Sequence, residues 1–180
     1  DFSTKEDYYL NGVIYKTTDA WKSWIVLNNK NIGKDTPDDP GKYPLKAGCY
    51  GLDHYSIESV DDKILYLNAN WFDTITVPKT VTKHSRIFKT TNGGDSWTAI
   101  SSDFGSAMVV AMKFSGDTGY IAGNNILLKT TDGGKSFTDL ISKIPGNTAG
   151  DLFFSSLTLV GPDKFYVQTS NNKGGYYSAD

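Results

Sequence analysis

The sequence predicts an all-β repeat fold built from short antiparallel strands. Three observations predict it. An eleven-residue pattern recurs along the chain, runs rich in β-branched and aromatic residues separate its copies, and no segment carries a long 3.6-residue apolar period. Repetition at a spacing near 40 residues is the mark of stacked supersecondary units, and four short strands per unit describe the blade of a β-propeller.

The pattern is plain in its two best copies. Residues 87–97 read Ile-Phe-Lys-Thr-Thr-Asn-Gly-Gly-Asp-Ser-Trp, and residues 127–137 read Leu-Leu-Lys-Thr-Thr-Asp-Gly-Gly-Lys-Ser-Phe. Asn92 and Asp132 stand 40 residues apart. A third copy occupies residues 14–24, and residues 176–180 match the first half of a fourth, with Asp180 in the column of Asp19 and Asp132.

These copies resemble the Asp-box, or BNR repeat, whose pattern is Ser/Thr-x-Asp-x-Gly-x-Ser/Thr-Trp/Phe. Thr130, Asp132, Gly134, Ser136 and Phe137 fill it completely, and Thr90, Asn92, Gly94, Ser96 and Trp97 fill it with Asn for Asp. Thr17, Asp19, Ser23 and Trp24 fill it with Trp21 in the glycine column, which predicts a distorted turn in the first copy. The chemistry is local and structural. Asp and Thr side chains bond backbone N–H groups of the turn, glycine takes the positive φ, and the aromatic opens the next strand.

Strands are placed around the boxes by turn residues. In the clearest unit, about 107–140, residues 109–114, 119–123, 126–131 and 136–140 read as four strands. A second blade, 51–100, takes residues 54–60, 63–71, 86–91 and 96–100. Residues 152–160, 164–169 and 175–178 give three strands of a partial blade over 151–180, and residues 8–15 open a partial blade over 1–28. The expected architecture is an arc of a ring of six to eight blades, with the remaining blades outside this sequence.

Two insertions interrupt the repeat, since Asp19 and Asn92 stand 73 residues apart. Residues 29–50 carry Pro37, Pro40 and Pro44 among Gly and Asp, and residues 72–84 form the second excess. Both are expected to be irregular loops, the places where a rigid scaffold usually carries binding.

Composition narrows the function. A net charge of −2 gives no basic field for nucleic acid. No apolar run approaches the ~18 residues of a membrane span. A single Cys, Cys49, excludes an intramolecular disulfide framework and a Cys-based zinc site. His54 and His84 are not at ligand spacing, so neither a metal nor a cofactor is expected. The repeat style and the lack of Asn-x-Ser/Thr sequons suggest a bacterial origin, and the expected location is extracellular, cell-surface or periplasmic.

The resemblance brings in sialidases, xyloglucanase-type glycoside hydrolases, sortilin-like domains and photosystem II assembly factors. A sialidase clamps its carboxylate with three arginines, and this chain has one, Arg86, expected at the surface or in a salt bridge. The assembly factors imply partner docking through an Arg-rich patch. A glycoside hydrolase needs two carboxylates across a cleft, and Asp53, Glu58, Asp61, Asp62 and Asp73 are the candidates near strand ends. The leading reading is non-catalytic binding of a protein or glycan. Its candidate platform is Tyr50, His54, Tyr55, Trp71 and Phe72, clustered around the second blade. The competing reading packs these aromatics between blades.

Overall fold

The computed structural model describes residues 14–27, 49–76, 79–144, 152–170 and 174–178. Within them the chain forms thirteen strands and one short 3-10 turn at Ile141–Lys143. The antiparallel sheets are blades, and among the described residues the arc does not close. The first holds β1 (Ile14–Lys16) and β2 (Ile25–Leu27). The second runs in the order β3 (Cys49–Ser59), β4 (Leu65–Thr76), β5 (Lys79–Thr90), β6 (Thr98–Ala99). The third orders β7 (Val109–Ser115), β8 (Thr118–Gly123), β9 (Ile126–Thr130), β10 (Thr138–Asp139), and the last β11 (Phe154–Gly161), β12 (Lys164–Thr169), β13 (Gly175–Ser178). The expected first-blade strand over residues 8–13, the insertion over 29–48 and Asp180 lie outside the described residues.

Blades pack face to face, and alternation along each strand supplies both faces. On β4, Tyr66 turns with Ile87 toward Val109, Met112 and Ile121 of the third blade, while Leu67 and Ala69 join Phe88 and Trp97 on the opposite face. The next interface buries Tyr120, Ala122 and Leu127 against Leu152, Phe154, Leu157, Phe165 and Val167. Each such large apolar side chain contributes about 1.5–3 kcal/mol on burial. Rings bridge the blades as well. Tyr66 stacks on Phe114 at 3.5 Å, and Tyr120 meets Phe165 at 4.4 Å.

A polar contact fixes the second blade against the third. β7 carries a register shift between Val109 and Ala111. Such a bulge frees backbone groups from the ladder. The Val109 carbonyl accepts from Asn68 Nδ2 at 2.9 Å and Asn70 Nδ2 at 2.7 Å, and the Val109 N–H donates to Ser85 Oγ at 3.1 Å. Asn68, Asn70 and Ser85 are all buried.

The second insertion differs from its expectation. Residues 72–84 are not an irregular loop: β4 and β5 stay paired from Leu65↔Thr90 out to Thr76↔Lys79. The physical reason is composition. Thr74, Ile75, Thr76, Thr80, Val81 and Thr82 make a β-branched run that favours the extended ladder. The corresponding hairpin of the third blade turns tightly after Gly123↔Ile126. Seven further rungs at ~3.3 Å per residue carry the second blade's hairpin about 23 Å past the level of that turn as an arm, with β3 alongside as far as Asp73.

Candidate functional site

The boxes settle into one hydrogen-bond plan. In the third blade Thr130 Oγ1 donates to Asp132 Oδ1 at 2.8 Å, and Gly134 N–H donates to Thr130 Oγ1 at 2.9 Å. Ser136 N–H and Oγ then donate to the two Asp132 oxygens at 3.0 and 2.6 Å. Donation by the Ser136 hydroxyl and backbone holds the Asp132 carboxyl well below the usual range. Asn92 reproduces the plan with its amide: Oδ1 accepts from Ser96 N–H at 3.0 Å and Nδ2 donates to Ser96 Oγ at 2.9 Å.

The first box corrects the expectation of a distorted turn. Asp19 accepts from Ser23 N–H at 2.9 Å and Ser23 Oγ at 2.5 Å, and Trp21 N–H donates to Thr17 Oγ1 at 3.1 Å. The backbone keeps the box shape by forcing Ala20 to φ 56° and Trp21 to φ 76°, where the other boxes use Gly93, Gly94, Gly133 and Gly134. The side-chain network therefore prevails over the left-handed penalty of about 1–2 kcal/mol per residue. The aromatic column diverges in burial: Trp97 is buried, whereas Trp24 is half exposed.

Each box also reaches its neighbour. Lys16 Nζ donates to the Gly93 carbonyl and Lys89 Nζ to the Gly133 carbonyl, both at 3.1 Å. Lys129 takes Asp163 instead, at 3.0 Å. These contacts are all structural.

The arm and its root are the candidate binding site. The ladder sets Tyr50 opposite Phe72, His54 opposite Asn70 and Tyr55 opposite Ala69, and Trp71 stands opposite His84. The five aromatic candidates thus gather, at the level of the backbone, within a few rungs where the arm leaves the blade.

Sequence reasoning missed what clamps this root. The linker from Ile100 to Gly105 runs along the outer edge of β5. Ile100 N–H donates to the Ile87 carbonyl and Phe104 N–H to the Ser85 carbonyl, both at 2.9 Å. Asp103 Oδ1 accepts from Ser85 N–H at 3.0 Å and Gly105 N–H at 2.8 Å, while Oδ2 lies 2.5 Å from His84 Nδ1. Burial alone would raise the Asp103 carboxyl, but His84 and the two backbone donors hold it below its ordinary value. The one local cue is an Asp two residues before a glycine, a common turn pattern.

Two of the candidate glycosidase carboxylates are committed to structure. Glu58 pairs with Lys113 across the blades. Asp61 accepts from Ile64 N–H at 2.6 Å and Lys63 N–H at 2.8 Å, which lowers its carboxyl. Asp53 falls in the register shift between Tyr50 and His54, and Asp73 stands opposite Cys49. Arg86 corrects its expected surface position. It lies inside β5, opposite Ala69, and is buried because β5 begins seven residues earlier than a strand at 86 would. Among the described residues no group of three or more His, Cys, Asp or Glu side chains is placed to hold a metal, and no helix is long and apolar enough to cross a membrane.

Boxes, blades and interblade contacts together define an Asp-box β-propeller module. The family model described as photosynthesis system II assembly factor YCF48 matches residues 71–177, more than half of the chain. The chain belongs to this family. It has no match among the curated proteins.

Proposed function

We propose that this chain is a non-catalytic docking module that binds a protein partner through the β4–β5 arm and the aromatic residues at its root. The observation that carries the reading is the arm itself: a paired hairpin that runs about 23 Å past the level at which the neighbouring blade turns tightly. A rigid scaffold with a projecting element suits recognition. The use of Glu58 and Asp61 in structural contacts favours docking over hydrolysis, and so does a family described as an assembly factor.

The test is an arm deletion. Residues 71–84 are replaced by an Asn-Gly turn joining Asn70 to Ser85, which suits a two-residue hairpin. Photo-crosslinking in extract of the source cells, read by mass spectrometry, is expected to give a protein adduct with the full chain that the deletion loses. An unchanged adduct pattern, or turnover on a polysaccharide panel abolished by Asp53→Asn or Asp73→Asn, would overturn the proposal.

A further inference from the structure

The second box carries an amide where the first and third carry a carboxylate. Asn92 stands in the column of Asp19 and Asp132, and Gly93 follows it. An Asn-Gly pair holds its own electrophile and nucleophile: the carboxamide carbon of the first residue and the backbone nitrogen of the second, with no Cβ to hinder their approach. Closure of a five-membered ring between them is the ordinary route of asparagine deamidation, and asparagine is thermolabile for that reason. Asn92 is exposed and Gly93 is buried.

The closed box restrains both partners. Asn92 Oδ1 accepts from Thr90 Oγ1 at 2.8 Å and from Ser96 N–H at 3.0 Å, and Nδ2 donates to Ser96 Oγ at 2.9 Å. Gly93 N–H donates to the Lys63 carbonyl at 2.9 Å, so the attacking nitrogen is engaged as well. Opening of the turn frees both together.

The two products of ring opening fit the box differently. An aspartate here presents the acceptors that Asp19 and Asp132 offer to the N–H and hydroxyl of Ser23 and Ser136. An isoaspartate adds a carbon to the main chain before Gly93 and shortens the side chain. Gly93 has no space for that shift: an added Cβ would already lie 2.7 Å from Lys16 Nζ and 3.0 Å from the Asp62 carbonyl oxygen. The Gly93 carbonyl also holds Lys16 of the first blade, at 3.1 Å.

We propose that Asn92 is a deamidation site gated by opening of the second box. In the open turn a solvent base takes the Gly93 amide proton, and the Gly93 nitrogen bonds to the Asn92 carboxamide carbon. The bond from that carbon to Nδ2 breaks, and ammonia leaves with a proton from water. Water then opens the succinimide at one carbonyl to give aspartate, or at the other to give isoaspartate. In sum, water is consumed and ammonia released, with no oxidant or reductant. Aspartate restores the box, whereas isoaspartate releases Gly93 from Lys16 and Lys63.

Peptide mapping by mass spectrometry, with the full chain held in mildly alkaline buffer, follows the reaction. Asn92 is expected to deamidate at least about tenfold more slowly in the folded chain than in urea or in a free peptide of residues 87–97. Ser96→Ala removes one restraint at an exposed position and is expected to speed the folded reaction about fivefold. Amide exchange in β8 checks that this variant stays folded; if it does not, the folded chain against the peptide decides alone. The two products are separated by chromatography. Exchange at Gly93 is expected to quicken in the isoaspartyl fraction and to match the parent in the aspartyl fraction. No deamidation at Asn92 in urea overturns the site. Equal rates in the folded chain and the peptide, or no acceleration in a folded Ser96→Ala chain, overturn the gate. Parent-like exchange in the isoaspartyl fraction overturns the released contact.

Discussion

Lys89 crosses from the second blade to the third: its Nζ donates to the Gly133 carbonyl at 3.1 Å while lying 5.1 Å from the centre of the Tyr66 ring. Tyr66 Oη donates to the same carbonyl at 3.3 Å. One box thus supplies the donor and the next box the acceptor, so the repeat sequence itself carries the blade-to-blade contact.

Replacing Lys89 with Met keeps much of the stem and removes the charge. The lost hydrogen bond and cation–π contact are expected to cost about 1–2 kcal/mol. Lys129→Met is expected to cost less, because its acceptor Asp163 is exposed. Urea denaturation of both variants measures the difference. Equal costs would show that the shared carbonyl adds nothing.

The box carboxylates predict an acid limb. The folded Asp132 carboxyl sits below its unfolded value, chiefly through the Ser136 hydroxyl. Such a group adds stability above the unfolded pKa of about 3.9 and loses it as pH falls toward the folded value. Asp132→Asn is expected to keep the turn, as Asn92 does, and to flatten this dependence. Urea midpoints taken from neutral pH into the acid range test it, and an unaltered acid slope would contradict it.

The first box predicts a stabilising exchange. Trp21 holds φ 76° in a column where Gly94 and Gly134 hold 100° and 90°. Trp21→Gly removes strain of about 1–2 kcal/mol and adds roughly 0.5–1 kcal/mol of unfolded-chain entropy. A small net gain, on the order of 0.5 kcal/mol, is expected in thermal unfolding. The reverse logic makes Gly134→Ala destabilising, since an added Cβ would lie 2.3 Å from Ile100 Cδ1 as well as at positive φ. Loss of stability in Trp21→Gly would mean that the Trp21 ring contributes more than the strain costs.

Much of the fold was legible because the boxes carry their own geometry. Thr130, Asp132, Gly134 and Ser136 make local bonds that residue type and spacing already specify, and the strands around them fall where turn residues predict. The arm was misread because the 73-residue spacing between Asp19 and Asn92 marked residues 72–84 only as an excess over the repeat, whereas the β-branched run within them decides the backbone. The clamp at Asp103 and the Val109 contact to Asn68, Asn70 and Ser85 join residues from 18 to 41 positions apart. Neither has a repeat or motif to announce it, since each depends on how separate segments are brought together.

Asp103 is expected to control the stiffness of the arm root. Its carboxylate holds Ser85 N–H, Gly105 N–H and His84 at once, so Asp103→Ala removes three contacts from the strand that continues into the arm. Partly buried hydrogen bonds of this kind contribute about 1 kcal/mol each, more where charge assists. Hydrogen exchange resolved by residue is expected to speed up at Ser85 and at the arm amides beyond it, while β8 and β9 keep their protection. Because the folded Asp103 carboxyl is depressed, the parent chain should show the same loosening as pH falls through its folded value, and the variant should lack that step. Uniform acceleration across all blades would instead make Asp103 a contributor to global stability, and an unchanged arm would show that β4 alone holds it in place.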